Sequence, residues 1–409
     1  MNTEKMYEYA KLILEVGINI REGEIVVVNS FPEAGEFTSM LVEEAYKLGA
    51  KYVLVDFVNS NVERKRLENS REEYLDYYPK AVADSRLKLL EEGASFIRIA
   101  GDDPDALKGV NASLISRSNI ARMKASKEVS EKMSKNENKW CVVAFPSKKW
   151  AKKIFSDLPE ETAVEKLFEV IMNIMKINDE DGAVKSWEEF KRKINERLEF
   201  LNGKQYDHLL YSSDKTELTV GLPKDHVWCG GGTVSKDGVE YMPNMPTEEV
   251  FTLPEKSKVN GYVSSTMPLI YSGNEISDFK LYLEDGKIVK VEAEKGQDLL
   301  QQLIDTDEGS HYFGEVALVS YDSPISNSGI LFYNTLFDEN ASCHFALGRA
   351  YKTNLKGGEN MSEEEFTNAG GNISLVHVDF MIGSNKMNIC GVTSEGNKEE
   401  ILRNGEWVI

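Results

Sequence analysis

The sequence has few of the features that mark exported or membrane proteins. No apolar run in its 409 residues approaches the roughly 20 residues needed to cross a bilayer. The opening segment MNTEKMYEYAKLILEV is typical of an amphipathic helix with charges throughout, not of an export signal. The four cysteines contain no C-x-x-C pair, which predicts free, buried thiols. We therefore expect a cytoplasmic protein with no membrane partner.

Acidic residues clearly outnumber basic ones. The chain has 48 lysines and arginines against 68 aspartates and glutamates, for a net charge of −20. Nucleic acids and anionic membranes are bound through clustered lysine and arginine, so this balance argues against both as partners. A neutral ligand, a cationic ligand or a metal ion fits the composition better.

The glycine motifs of nucleotide-binding domains are missing from the first half. The apolar strand at residues 24–28 is followed by NSFPEAGEF, which has neither G-x-G-x-x-G nor G-x-x-x-x-G-K-[ST]. Three more apolar strands, at residues 52–57, 95–100 and 141–145, alternate with helical segments. This alternation predicts a parallel sheet covered by helices, in an α/β domain without a nucleotide site.

The second half has a different pattern of predicted secondary structure. The acidic segment NDEDGAV at residues 178–184 lies between two helical stretches, and it predicts a boundary between domains at 1–184 and 185–409. Beyond it come short β-rich runs, of which FKLYLEDGKIVKVEA has the Asp285-Gly286 signal of a type I′ hairpin. The predicted fold class is therefore α/β, with an N-terminal parallel-sheet domain followed by a β-rich, barrel-like α+β domain.

Groups that could bind a metal are concentrated between residues 344 and 379. His344 and Tyr351 are seven apart, so they would share one face of a helix if the segment is helical. His377 and Asp379 are two apart in the apolar run LVHVDFM, which predicts a buried strand with both side chains on one side. Burying an imidazole and a carboxylate together is costly unless something satisfies them, and a divalent metal ion would do so.

Two glutamates extend this set. Glu249 lies in NMPTEEVFTLP and Glu315 in YFGEVALVS, each beside an apolar strand. Carboxylates and imidazoles together suit zinc, cobalt or manganese, and this many carboxylates favours two ions over one. A pair of divalent ions can activate water and polarise a carbonyl, which amide hydrolysis requires.

Four segments carry a resemblance to a known family. MPTEEVFT, GEVALV, NASCHFALGRAY and VHVDFMIG resemble the M29 family of metal-dependent aminopeptidases, and the similarity runs along nearly the whole chain. The resemblance implies an N-terminal α/β domain, a catalytic domain built around a barrel and a homodimer. It also implies a metal-ligand set formed by Glu249, Glu315, His344, His377 and Asp379.

The function implied is release of N-terminal amino acids from peptides with a free N-terminus. Glu315 is the candidate general base, which would take a proton from the attacking water and return it to the leaving amine. Tyr351 falls on the family's site tyrosine, which could touch a metal or donate a hydrogen bond to the developing oxyanion. Glu249 and Glu315 could exchange the roles of base and bridging ligand.

Other readings stay open. Another dinuclear metallohydrolase, a phosphoesterase or an amidase, could use the same ions, although only Arg349 and Lys352 lie near the ligands in sequence to hold a phosphate. A non-enzymatic metal-binding protein would favour cysteine ligands. In the segment DHVWCGGG, His226 is read as a core residue, with the alternative that Trp228 lines a side-chain pocket.

Overall fold

A four-stranded parallel sheet forms in the first half of the chain. The computed structural model describes residues 1–271 and 274–409, apart from the side chain of Ala112. The strands are β1 Ile25–Ser30, β2 Tyr52–Phe57, β3 Ser95–Ala100 and β4 Trp140–Ala144, in the order β2-β1-β3-β4. All neighbouring pairs are parallel. The predicted parallel sheet is therefore confirmed.

Helices alternate with these strands. The spacing of Phe37, Met40, Leu41 and Ala45 buries one face of α2, and Gly49 follows that helix with a φ of 93°. The helices of this part of the chain are α1 Thr3–Leu12, α2 Gly35–Lys47, α3 Ser60–Asn69, α4 Lys80–Glu91, α5 Ala112–Ala125, α6 Lys127–Ser134, α7 Lys148–Ile154, α8 Glu160–Ile174 and α9 Ala183–Lys204.

The rest of the chain is rich in antiparallel strands, as predicted. The strands are β5 His208–Ser212, β6 Glu217–Gly221, β7 Cys229–Gly230, β8 Thr233–Val234, β9 Glu240–Tyr241, β10 Val250–Thr252, β11 Val259–Ser264, β12 Leu269–Tyr271, β13 Asn274–Glu284, β14 Lys287–Lys295, β15 Phe313–Leu318, β16 His344–Gly348, β17 His377–Met381, β18 Asn388–Val392, β19 Lys398–Arg403 and β20 Glu406–Trp407. The helices are α10 Gln297–Ile304, α11 Pro324–Asn327, α12 Thr335–Asp338 and α13 Glu363–Asn368.

Two large antiparallel sheets organise these strands. One has five strands in the order β17-β16-β15-β10-β7, and the other has nine strands that include the hairpin β13–β14. In that hairpin Asp285 and Gly286 have φ values of 47° and 81°, which are the positive angles of a type I′ turn. The predicted hairpin is confirmed.

Contacts divide the chain into two compact units. One unit comprises residues 1–189 and 232–246, and the other comprises residues 190–231 and 247–409. The division falls inside α9, and the short hairpin β8–β9 belongs to the first unit although it lies in the second half of the sequence. The domain boundary at residue 184 stays a prediction.

The four cysteines, all within the described residues, are free thiols. Cys141 and Cys343 are buried, as expected, whereas Cys229 and Cys390 are partly exposed. The prediction of burial is therefore wrong for the latter two. Within the described part of the chain, no helix is long and apolar enough to span a membrane.

One face of the five-stranded sheet lies against the core of the second unit. Cross-strand pairing aligns Val316, Phe345 and Phe380 in one row, and all three are at most 1% exposed. The Phe313 and Phe345 rings stack with their centroids 4.9 Å apart. This apolar packing fixes the position of the sheet, whose opposite face carries the candidate site.

Candidate metal centre

Strand register places the predicted ligands on one face of the five-stranded sheet. Glu315 on β15 faces Ala346 on β16, which in turn faces Asp379 on β17. In the neighbouring rows His344 faces Ala317, and His377 faces Gly348. Directly opposed residues of a sheet point to the same side, so the two carboxylates and the two imidazoles converge.

Glu249 joins this face from the adjacent strand. It directly precedes β10, where Phe251, two residues later, faces Ala317. Alternation along the chain therefore directs Glu249 toward the ligand side. The five predicted ligands, drawn from positions 249 to 379, are brought together in the structure.

Small residues separate the ligands. Ala317, Ala346 and Gly348 occupy the positions opposite the candidate ligands. Gly348 has a φ of 97°, and a Cβ there would lie 2.2 Å from the carbonyl oxygen of Val376. No larger residue fits at 348, and the short side chains leave room above the sheet for a bound group.

The ligand atoms form two overlapping groups. His344 Nε2 lies 3.1 Å from Glu249 Oε2 and 3.4 Å from Glu315 Oε1. His377 Nε2 lies 3.8 Å from Glu315 Oε2 and 3.4 Å from Asp379 Oδ1. Within each group the candidate ligand atoms lie within 4.8 Å of one another. Glu315 belongs to both groups and presents a different oxygen to each imidazole.

The imidazoles are oriented as metal ligands require. His344 Nδ1 pairs with the carbonyl oxygen of Ser342 at 3.2 Å, and His377 Nδ1 with that of Arg349 at 2.7 Å. A carbonyl oxygen only accepts hydrogen bonds, so each Nδ1 carries a proton and each Nε2 is directed at the carboxylates. This arrangement is the usual one for a histidine bound to metal through Nε2.

Two carboxylate oxygens of the cluster are buried without a hydrogen-bond partner among the described residues. They are Glu249 Oε2 and Asp379 Oδ1. A buried, unsatisfied carboxylate oxygen opposite an imidazole nitrogen is unfavourable unless a cation lies between them. The donor set and its unsatisfied atoms therefore fit a divalent ion.

The crowding of charges perturbs the protonation of these groups. Burial, together with the charges of Asp379 and Glu249, raises the pKa of Glu315 to about 7, although the hydrogen bond from His344 opposes the rise. Burial lowers the pKa of His377, but the nearby negative charges of Asp379 and Glu315 outweigh this effect and raise the pKa to about 9. The protein alone thus retains extra protons where a metal ion would replace them.

Tyr351 reaches the site from a loop and not from a helix. The helical arrangement considered for His344 and Tyr351 does not occur, because residues 344–348 pair with β15 on one side and β17 on the other. The positive φ of Gly348 is also incompatible with a continuing helix. The Tyr351 ring nevertheless lies 4.8 Å from the His377 ring.

The Tyr351 hydroxyl is suited to donate a hydrogen bond. Burial of part of the side chain and the charges of Glu315 and Asp379 raise its pKa, so the hydroxyl keeps its proton. The side chain is still 45% exposed. It can therefore meet a substrate from the solvent side of the cluster.

Glu339 is a site residue that the sequence reasoning missed. It begins a short 3-10 helix, Glu339–Ala341, that contacts β17. Burial raises the pKa of Glu339 well above its ordinary value, and the charges of Glu249 and Asp379 add to the rise. Its position directly before NASCHFALGRAY was the only signal in the sequence.

Other candidates lie outside the cluster. His226 is 2% exposed, with Nδ1 2.9 Å from the carbonyl oxygen of Pro223, as expected of a core histidine. Trp228 is also 2% exposed and packs in the core, so the alternative in which it lines a pocket is wrong. Arg349 Nε donates to the carbonyl oxygen of Ser374, and Lys352 Nζ donates to that of Met361.

Comparison with known proteins identifies the class to which this fold and candidate site belong. The sequence pattern of the family described as thermophilic metalloprotease (M29) matches residues 2–407. The chain is 46% identical over 405 residues to aminopeptidase AmpS of Bacillus subtilis (strain 168), covering 99% of this chain and 98% of that relative. It is 40% identical over 407 residues to aminopeptidase T of Thermus aquaticus, covering 100% and 99%.

A solved structure agrees with the sequence comparison. Wild-type AmpT from Thermus thermophilus matches with a TM-score of 0.93 and 38% identity over 99% of each chain. The chain therefore belongs to the M29 metalloprotease family. The predicted fold class, the family and the assignment as an aminopeptidase are confirmed.

Proposed function

We propose that this aminopeptidase releases N-terminal residues from peptides with a free N-terminus by using two divalent ions of the zinc, cobalt or manganese type. The observation that carries the proposal is the position of Glu315, which is shared by two groups of three ligand-type side chains. A bridging carboxylate of this kind is what two closely spaced ions need.

Each ion would have its own ligands. Glu249 and His344 would hold one, His377 and Asp379 the other, with Glu315 between them. When bound, such ions lower the pKa of water and polarise the scissile carbonyl. The unsatisfied oxygens of Glu249 and Asp379 support this assignment.

Glu315 is the proposed general base. Its two oxygens face different imidazoles, and its side chain is buried at the centre of the cluster. In this role one Glu315 oxygen would stay free of the ions, accept a proton from the attacking water and donate it to the leaving amine, whereas a Glu315 that bridges through both oxygens would leave the role of base to Glu249. Glu249, which is more exposed, is the other candidate for this role.

Tyr351 would stabilise the oxyanion that forms on the scissile carbonyl. Its protonated hydroxyl belongs to a half-exposed ring packed beside His377. A donor aimed at developing negative charge lowers the barrier because it interacts more strongly with the transition state than with the substrate.

Two further predictions concern the protein as a whole. We expect it to act as a homodimer and to work in the cytoplasm. Sedimentation analysis at several protein concentrations checks the first, and fractionation of cells that make the protein checks the second.

A metal titration tests the central proposal. The purified chain is stripped with a chelator, and zinc, cobalt or manganese is then added while release from leucine, arginine and glutamate amides is followed. We expect activity to return as two ions bind per chain, measured by elemental analysis. Saturation at one ion per chain would contradict the dinuclear site, and phosphate-ester cleavage without amide cleavage would favour the rival hydrolase.

A further inference from the structure

We propose that Phe251 and Cys229 form the floor of the pocket that receives the side chain of the substrate's N-terminal residue, and that this floor selects apolar side chains. The inference rests on the proposed function, because it places the bond to be cleaved at the cluster of Glu249, Glu315, His344, His377 and Asp379.

Strand register places this floor beside the ligands. Cys229 on β7 faces Phe251 on β10, Phe251 faces Ala317 on β15, and Ala317 faces His344 on β16. All four side chains therefore share the face that carries the metal ligands.

Exposure shows on which side of the cluster a substrate side chain can lie. Phe251 and Cys229 are partly exposed, whereas Val250 and Thr252, which flank Phe251, are buried. At the opposite end of the same row, Met381 is only 8% exposed. Of the apolar side chains in this row, those that remain open lie toward β7 and β10.

Tyr351 provides a wall that connects the floor to the cluster. Its ring lies 6.2 Å from the Phe251 ring at an interplanar angle of 67°, and 4.8 Å from the ring of His377. Cys229 Sγ approaches the carbonyl oxygen of Thr353 at 4.0 Å. The loop after β16 therefore borders both floor residues.

The floor is held in a fixed position by a buried amide. Asn354, 1% exposed, donates from Nδ2 to the carbonyl oxygens of Val227 and Phe251, each at 3.2 Å. The Thr252 hydroxyl adds a 2.9 Å hydrogen bond to the same Val227 carbonyl. These bonds connect the segment before β7, strand β10 and the Tyr351 loop, so the pocket is formed before substrate binds.

The chemistry of the floor predicts its preference. An aromatic ring and a neutral thiol offer dispersion contacts and no strong hydrogen-bond partner. In such pockets one methylene group changes kcat/KM roughly tenfold or more. We expect medium-sized apolar N-terminal residues to be preferred over glycine.

Two variants test the floor on the metal-loaded enzyme. Phe251→Trp and Cys229→Leu fill the pocket, so each should lower the ratio of kcat/KM for leucine amide to that for alanine amide about tenfold. The expected change is mainly in KM for the larger substrate. Phe251→Ala should widen the pocket and shift the preference toward phenylalanine amide.

Matched controls separate a pocket from a general disturbance. Cys390→Leu alters the other partly exposed thiol, and Tyr262→Ala removes a partly buried ring from β11 in the other antiparallel sheet. Both should leave the order of substrates unchanged. Bound metal per chain, measured in every variant, should also stay constant.

The outcomes distinguish two failures. If the wild-type enzyme releases amino acids but the floor variants change all substrates by the same factor, the pocket assignment is overturned and the proposed function stands. If the metal-loaded wild-type enzyme releases nothing from any amide, the proposed function fails and the pocket fails with it.

Discussion

The two faces of the five-stranded sheet differ in the polarity of their side chains. One face presents Val316, Phe345 and Phe380 to the core, with no exposure above 1%. The other presents carboxylates and imidazoles separated by alanine and glycine. Strand alternation lets one short segment contribute to both faces, since Val378 and Phe380 alternate with the candidate ligands His377 and Asp379. Packing of the apolar face stabilises the sheet, and this stabilisation offsets the unfavourable free energy of bringing buried charges together on the other face.

The largest effect on activity is expected for the substitution Glu315→Gln on the polar face. The amide keeps the shape of the side chain but cannot accept the proton from water, so kcat should fall about 100-fold or more. Removing a buried charge should leave the melting temperature unchanged or raise it. Amide-release kinetics and thermal denaturation check both, with the exposed Glu292→Gln as the matched control. A variant with wild-type turnover would refute the role of Glu315 as base.

Substitutions at two neighbouring residues on opposite faces should separate an effect on stability from an effect on metal binding. Phe345→Ala opens a cavity in the core and should reduce the free energy of unfolding by about 3–5 kcal/mol. Ala346→Leu instead adds bulk between Glu315 and Asp379, so it should cost more in metal binding than in stability. Chemical denaturation and elemental analysis of both variants separate the effects. If Ala346→Leu binds a full complement of metal, the space above the sheet is not the metal site.

Tyr351→Phe should have a smaller effect. Removing the hydroxyl while keeping the ring deprives the oxyanion of one donor, and partial exposure of the side chain limits the loss to about tenfold in kcat. KM should change little if the ring packing against Phe251 persists. Steady-state kinetics give the answer, and a loss confined to KM would show that Tyr351 only shapes the pocket.

The smallest effect is a pH dependence of the metal-free chain. The pKa of Glu315 rises from 4.5 to about 7 and that of His377 from 6.5 to about 9 on folding. Both groups hold protons more tightly in the folded chain, so stability should fall as pH rises from about 5 to 9. The lowered pKa of Asp379 acts below this window. Thermal melts should show the decline without metal, and the same decline with metal bound would contradict ligation by these groups.

Much of the fold was predictable because local patterns determine it. The apolar runs at β1 to β4 and the Asp285-Gly286 turn have periods or turn residues that specify one structure. The i and i+2 spacing of His377 and Asp379 also led to the correct strand. In these cases local preference and tertiary structure agree.

The sequence was less informative where the local structure depends on residues that are distant along the chain. HFALG has no clear period, and its strand conformation depends on pairing with β15 and β17, which come from elsewhere in the chain. Glu339 interacts with Glu249, ninety positions earlier, so no spacing rule could reveal it. The resemblance to the M29 family supplied the ligand set, and the structure brings those five side chains together. Their role as metal ligands stays a prediction.

The main-chain carbonyls behind both imidazoles have a consequence for how this enzyme can diverge. The acceptors that aim His344 and His377 belong to Ser342 and Arg349, but they are backbone atoms. Replacing either side chain leaves its carbonyl in place, so mutation at those positions should not change the orientation of the imidazole rings. The orientation of both imidazoles therefore depends on the path of the main chain at residues 342 and 349 and not on the side chains there.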